Sequence, residues 1–163
     1  MPEMIDRLHR LLRAIPALQP GAPDGVVAVE LRDPQWLTPL FVQALRDTGA
    51  TYCMGLHAKM PRIAEQLPIL RALWPGPLVC RWNLNPLHGA YGYEEARDLY
   101  SPFDKMVDPD VETRNHLVRV IAGTAGAGQN VFVTLSNKAE GSAPPSVIEL
   151  ARALCDHQSP DHS

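Results

Sequence analysis

The stretch VVAVELRDPQWLTPLFVQALRDTGATYCMGLH, residues 26–57, contains a complete strand–helix–strand unit. Residues 26–33 form a short run rich in valine, which is typical of a strand, and Pro34 begins a turn. The pattern then predicts a helix over residues 36–47 that stops at Gly49, and a second strand in TYCMGLH. Because a helix joins two apolar strands, the unit predicts parallel strands connected by a right-handed crossover, as in the α/β class.

The same alternation extends in both directions from this unit. The order is one amphipathic helix followed by strand and helix four times, which predicts an α/β fold in a single domain, residues 1–155, with a polar tail, residues 156–163. The glycine-rich stretch GTAGAGQN closes a helix and precedes a strand, so it is predicted to be a connector and not a phosphate-binding loop. Outside the opening unit, helices are predicted over residues 4–15, 60–73, 110–122 and 146–155, and strands over residues 78–85 and 129–137.

The composition is that of an ordinary soluble domain, with 163 residues of which 45% are hydrophobic and 20% charged. The net charge of −3 gives no bulk attraction to nucleic acid or to an anionic membrane, and no apolar run approaches the ~20 residues of a membrane helix. Cys53, Cys80 and Cys155 are odd in number and form no C-x-x-C pair, so we expect buried thiols in the cytoplasm and no metal or other cofactor.

Each predicted strand has one apolar face and one face that turns polar toward its carboxyl end. Side chains alternate along a strand, so Val29 and Leu31 lie on one face of the first strand and Glu30 on the other. The carboxyl ends of parallel strands meet at one edge of a sheet, where α/β proteins place their ligands. This rule gathers Glu30 and Arg32 from the first strand, His57 from the second, Arg81 and Asn83 from the third, and Asn137, Lys138 and Glu140 from the fourth.

The gathered side chains favour an anionic ligand. The arginine and lysine side chains outnumber the carboxylates, and arginine forks suit phosphate or carboxylate groups. A carboxylate among them has the chemistry of a general acid or base, and a lysine beside arginines that of a base or a nucleophile. The predicted catalytic residues are therefore Glu30, Lys138 and Glu140, and the predicted ligand-binding residues are Arg32, His57, Arg81, Asn83, Asn137 and Tyr93, the last from the aromatic segment after the third strand.

A structural interpretation of the same residues stays open. Glu30 paired with Arg32 or with Arg81 would form an ion pair in a closed core. Lys138 paired with Glu140 would do the same. Because such buried pairs contribute little net stability, their number favours a ligand site over a purely structural network.

Two further features have competing interpretations. His57 is more typical of a hydrogen-bonded structural histidine than of a catalytic one, and the cations nearby disfavour a metal held by this histidine and the two glutamates. The long aromatic segment at residues 86–103 is either a lid on the site or a packed cover.

Three ordered stretches resemble motifs of one known family. VAVELRDPQWL resembles the strand–turn–helix motif of this family. RWNLNP, with a downstream tyrosine, resembles the family's next strand motif, and VTLSNKAEGSAP resembles its last strand-to-helix motif. Over residues 5–154 the chain is similar to the domain of unknown function 72 family, also called YecE-like, whose members are TIM-type (β/α) barrels without an assigned reaction. The sequence departs from the family pattern at Asn83 and Leu84, where histidine and glycine are common, and at Ser136, where asparagine is usual.

The resemblance implies the C-terminal half of a barrel. A complete (β/α)8 barrel takes ~250 residues, whereas this sequence predicts about four strands, which leave two open edges and an uncovered inner face. Three arrangements follow: two copies pair into a barrel or a continuous sheet, a separate chain supplies the other half, or the chain is a truncated form of a longer protein. A homodimer is expected if the chain stands alone.

Three functional hypotheses remain at this point. The first is an enzyme acting on a small anionic or polyhydroxylated molecule. The second is a non-catalytic domain that binds such a molecule at the same basic edge, and the third is a half-barrel without a site.

Overall fold

Strands and helices alternate along the part of the chain that the structure, a computed structural model, describes: residues 2–16, 18, 21 and 25–158. The strands are β1 Ala28–Glu30, β2 Thr51–Leu56, β3 Leu78–Trp82 and β4 Val131–Leu135. The helices are α1 Pro2–Ala14, α2 Pro39–Thr48, α3 Ile63–Ala72, α4 Tyr93–Tyr100, α5 Val111–Gly126 and α6 Ala143–Gln158. Of the polar tail predicted at residues 156–163, the first three residues belong to α6 and the rest lie outside the described ranges.

The four strands form one all-parallel sheet in the order β1-β2-β3-β4. This confirms the predicted α/β class and is consistent with part of a TIM-type barrel, although the sheet is not closed. The register places Glu30 beside Cys53, and Gly55 beside Arg81. Within the described residues, β1 and β4 each pair on one side only, so both edges of the sheet present unpaired backbone groups.

The main hydrophobic core lies between one face of the sheet and five of the helices. Its members come from α1, α2, α3, α5 and α6 and from alternate positions of every strand, as the period-two pattern predicts. Tyr52, Met54, Cys80 and Trp82 are among the most buried residues of this face. Each crossover helix therefore covers the same side of the sheet.

Helix α2 shows how local sequence signals fix these crossovers. The Thr38 hydroxyl accepts a hydrogen bond from the Phe41 backbone N–H at 3.3 Å, with proline in the first helical position. Gly49 ends the helix in the left-handed conformation, φ 68°, which costs glycine little. Phe41 and Leu45, one turn apart, are then fully buried against the sheet.

The opposite face of the sheet is polar at its carboxyl end and open elsewhere. Phe132 is 43% exposed on this face, and Thr134 and Arg81 are exposed beside it. Cys53, also on this face, is nevertheless buried, as is Cys80 in the main core, whereas Cys155 in α6 is exposed, so the expected burial is confirmed for Cys53 and Cys80 and wrong for Cys155.

The largest difference from the predicted elements is α4. Its sequence, YEEARDLY, has mostly polar residues and buries only Ala96 and Tyr100, four positions apart, so its apolar pattern is too short to predict a helix. These two residues form a small second core together with Leu84. No helix in the described ranges is long and apolar enough to cross a membrane.

Candidate functional site

The Glu30 carboxylate is the centre of a charged cluster that joins the carboxyl ends of β1 and β3. Its Oε1 accepts hydrogen bonds from Arg32 Nε at 2.9 Å and from Asn83 Nδ2 at 3.0 Å. Its Oε2 accepts one from Arg81 Nη1 at 2.5 Å. Both carboxylate oxygens are thus engaged, and the two arginine side chains remain about half exposed, at 44% and 49%.

Gly55 gives the Glu30 side chain room to lie flat across the sheet. A Cβ atom at this position would stand 3.4 Å from Glu30 Oε1 and 3.6 Å from Glu30 Cγ, so a larger branched side chain would push the carboxylate away. Cys53 lies next to Glu30 in register, and burial together with the charge of Glu30 raises the pKa of its thiol to about 11. The thiol is therefore protonated at neutral pH and is not a nucleophile here.

Tyr93 of α4 connects this cluster to residues that follow β2 and β4. Its hydroxyl accepts a hydrogen bond from Arg32 Nη1 at 3.1 Å, and its ring lies 5.1 Å from the His57 ring at a tilt of 31°. The Lys138 ammonium lies 5.9 Å from the Tyr93 ring centre and 5.7 Å from that of Phe103. These distances fall at the outer limit of cation–π attraction, so the rings hold Lys138 weakly.

The cluster carries a net positive charge. Glu30 offsets only one of the three cations Arg32, Arg81 and Lys138, and in the described part of the chain no carboxylate lies within ion-pair distance of the lysine. Burial, and then the charges of Arg32 and Lys59, lower the pKa of His57, so its ring is neutral at physiological pH. The free positive charge is therefore on the partly exposed lysine and on the outer edges of the arginines.

Glu140, predicted as a catalytic residue, belongs to a different cluster. It is fully buried, and its Oε1 accepts hydrogen bonds from Arg114 Nη2 at 2.5 Å and from the Asp110 backbone N–H at 2.7 Å. Its backbone carbonyl accepts from the N–H groups of Val107 and Asp108. The pairing of Lys138 with Glu140 considered from the sequence does not form, because Arg114 of α5 takes the carboxylate.

Asn137 is occupied with the turn between β4 and α6. Its Oδ1 accepts a hydrogen bond from the Ala143 backbone N–H at 2.8 Å, and its carbonyl accepts from Gly141 N–H at 2.8 Å. Gly141 has φ 116°, and a Cβ there would lie 2.7 Å from backbone atoms of Lys105 and Val107. The stretch SNKAEG thus forms a tight structural turn from which the Lys138 side chain leaves toward the cluster.

The structure therefore brings together most, but not all, of the predicted site residues. Glu140 and Asn137 are engaged in the structural contacts of the loop after β4. Among the described residues, no three histidine, cysteine, aspartate or glutamate side chains converge as metal ligands. Phe103 is a site residue that the sequence reasoning placed only in the aromatic segment. The residues brought together are Glu30, Arg32, His57, Arg81, Asn83, Tyr93 and Lys138, which we call the basic cluster.

These observations define the class of architecture: an open, parallel α/β sheet with the basic cluster at the carboxyl ends of its strands. The chain matches the family described as protein of unknown function DUF72 over residues 1–162, essentially its whole length, and it belongs to that family. No curated protein and no solved structure matches the chain at a significant level.

We expect Glu140→Gln to destabilise the fold. The substitution leaves the Arg114 guanidinium buried without its counter-charge, and removing one member of a buried pair costs about 3–5 kcal/mol. The urea denaturation midpoint should fall accordingly. The control is Glu149→Gln, which breaks the exposed pair with Arg152 and should cost at most about 1 kcal/mol. Equal midpoints for the two variants would contradict the structural role of Glu140.

We expect stability to fall as the pH is lowered from about 7.5 to about 5.5, in part because of His57. Its pKa is lowered in the folded state, so the unfolded chain binds a proton first, near the ordinary value of about 6.5. The contribution of His57 to stability is therefore present above its pKa in the unfolded chain, and it is lost as the pH falls through its pKa in the folded state. His57→Gln should flatten the dependence of the urea midpoint on pH, whereas the exposed His157→Gln should not.

Proposed function

We propose that the protein binds a small anionic molecule, bearing a phosphate or carboxylate group, at the basic cluster. The observation that carries the proposal is the charge imbalance: three cations share a single carboxylate, and Lys138 lacks an ion-pair partner within the described residues. An anion between Lys138 and the exposed edges of Arg32 and Arg81 would complete the set of charge-assisted hydrogen bonds.

The geometry favours binding over acid–base catalysis. A general base needs a lone pair directed at the substrate, and both oxygens of Glu30 already accept hydrogen bonds from Arg32, Arg81 and Asn83. Glu30 is better placed to hold the two guanidinium groups in fixed positions, so that they are preorganised for an anion. A catalytic role for Lys138 or Glu30 stays a narrower alternative, which detectable turnover of a bound anion would support.

The test is a titration with inorganic phosphate at constant ionic strength, followed by calorimetry and by thermal unfolding. Phosphate binding should raise the melting temperature. Lys138→Met should weaken the affinity for phosphate by about tenfold or more, since a charge-assisted hydrogen bond contributes about 1.5–3 kcal/mol. Arg13→Met removes one positive charge from an exposed position on α1, a helix on the covered side of the sheet, and should bind like the unaltered protein. The proposal would be refuted if phosphate did not bind, or if both variants bound it with equal affinity.

We further propose that two copies of the chain associate through the open face and edges of the sheet. The support is the unpaired outer side of β1 and β4 and the exposure of Phe132 on a face that no member of the main core covers. A two-fold axis parallel to the strands would set β4 of one copy beside β1 of the other, parallel, at both edges. The eight strands would then close as in a (β/α)8 barrel.

Sedimentation velocity at several protein concentrations tests this association. We expect a dimer that Phe132→Lys converts to monomer, because the substitution buries a charge in the interface. Val147→Lys is the control: Val147 is similarly exposed, 48% against 43%, but lies on α6, on the helical side. A monomer at all concentrations, or equal effects of the two substitutions, would rule out this face as the interface.

A further inference from the structure

We propose that a cavity on the helix-covered side of the sheet binds a small neutral polyhydroxylated molecule through Trp82, His57 and Asp110. The cavity has a volume of about 370 Å³ and lies between the N-terminal ends of α3 and α5, at the carboxyl ends of β2 and β3. That volume is in the range of small-molecule sites. The cavity is separate from the basic cluster, except that His57 borders both.

Three residues that line this cavity carry buried polar atoms without a hydrogen-bond partner in the described part of the chain: Trp82 Nε1, His57 Nε2 and Asp110 Oδ2. Trp82 is 1% exposed and His57 6%. Buried polar atoms are normally satisfied, and each that is not costs about 1–3 kcal/mol. Three such atoms, each on a residue that lines one cavity, therefore point to a molecule that supplies their partners.

The hydrogen-bonding roles of the three atoms follow from their other contacts. The indole N–H of Trp82 is always a donor. His57 Nδ1 accepts from the Lys59 backbone N–H at 3.0 Å, so the neutral ring carries its hydrogen on Nε2 and donates there. Asp110 Oδ1 caps α5 by accepting from Thr113 N–H at 3.0 Å, which leaves Oδ2 as an acceptor. Two donors and one acceptor match hydroxyl groups, each of which both accepts and donates.

The charges around the cavity select against an anion. Asp110 lies in its wall with Glu65 and Glu112, and the one arginine of the lining, Arg62, is already paired with Glu112 at 2.7 Å. Carboxylates therefore outnumber the arginine, in contrast to the basic cluster. The remaining wall includes apolar side chains, among them Leu56, Met60 and Leu84, which suit the C–H surface of a sugar or polyol.

The Trp82 indole N–H resonance in a ¹H–¹⁵N spectrum reports directly on this cavity. Trp82→Phe identifies the resonance by its disappearance, and the probes are glycerol, D-ribose and D-glucose. We expect at least one probe to shift the Trp82 indole saturably while the indoles of Trp36 and Trp74 stay in place. Asp110→Asn keeps the capping oxygen but replaces the free acceptor with a donor, so it should weaken the binding by about tenfold. Asp104→Asn, at an exposed position outside the cavity, is the matched control.

Each contrary result counts against the proposal. If no probe moves the Trp82 indole up to 100-millimolar concentrations (roughly the weakest affinity a built site would show), the cavity holds water alone. Parallel shifts of all the indoles would mean non-specific contact, and equal affinity of Asp110→Asn and Asp104→Asn would place the probe elsewhere. Lys138→Met should leave the sugar response unchanged, so that failure at this cavity and failure of anion binding at the basic cluster are told apart.

Discussion

The alternation of side chains in four parallel strands that share one register is the constraint on which the rest of the structure depends. Every crossover helix packs on the same face, so each strand must send its apolar residues there and its remaining residues to the other side. A shift of one residue in β2 would expose Tyr52, and a shift of one residue in β3 would expose Trp82 and bury Arg81. The same rule that builds the core therefore sets Glu30 of β1 and Arg81 of β3 on the open face, where the Glu30 side chain reaches Arg81 across Gly55 of β2.

The Glu30 carboxylate turns this placement into a defined site. The guanidinium groups of Arg32 and Arg81, which come from the carboxyl ends of β1 and β3 on either side of β2, would repel each other, and the shared carboxylate both offsets that repulsion and fixes their orientation. Its side chain is mostly buried, with 15% exposed, whereas the arginines keep about half of their surface in water. A buried anion beneath two exposed cations leaves a surface that is rigid and still positive, which is the arrangement expected where an anion binds.

The sequence was informative about this site as long as a residue lay in a strand or directly after one. Glu30, Arg32, Arg81 and Asn83 follow from period-two alternation, and the structure brings them together. Alternation stops at Ser136, where the chain enters the tight turn that Gly141 permits at φ 116°, so spacing alone cannot say which way Glu140 points. Its partner, Arg114, lies 26 residues earlier in α5, which the sequence predicted only as a helix over residues 110–122. Long-range pairing of this kind depends on how α5 packs, and no local pattern contains it.

Among the described residues, His57 alone belongs both to the basic cluster and to the lining of the cavity. Its ring faces Tyr93 on the side of the basic cluster, its Nδ1 is held by the Lys59 backbone, and its Nε2 has no hydrogen-bond partner among the described residues. A hydrogen bond to Nε2 would fix the ring plane and with it the position of Tyr93, whose hydroxyl orients Arg32. Conversely, an anion near Arg32 would offset the charge that lowers the pKa of His57. A ligand in either region would therefore change the electrostatics or the geometry of the other through the contacts of this imidazole.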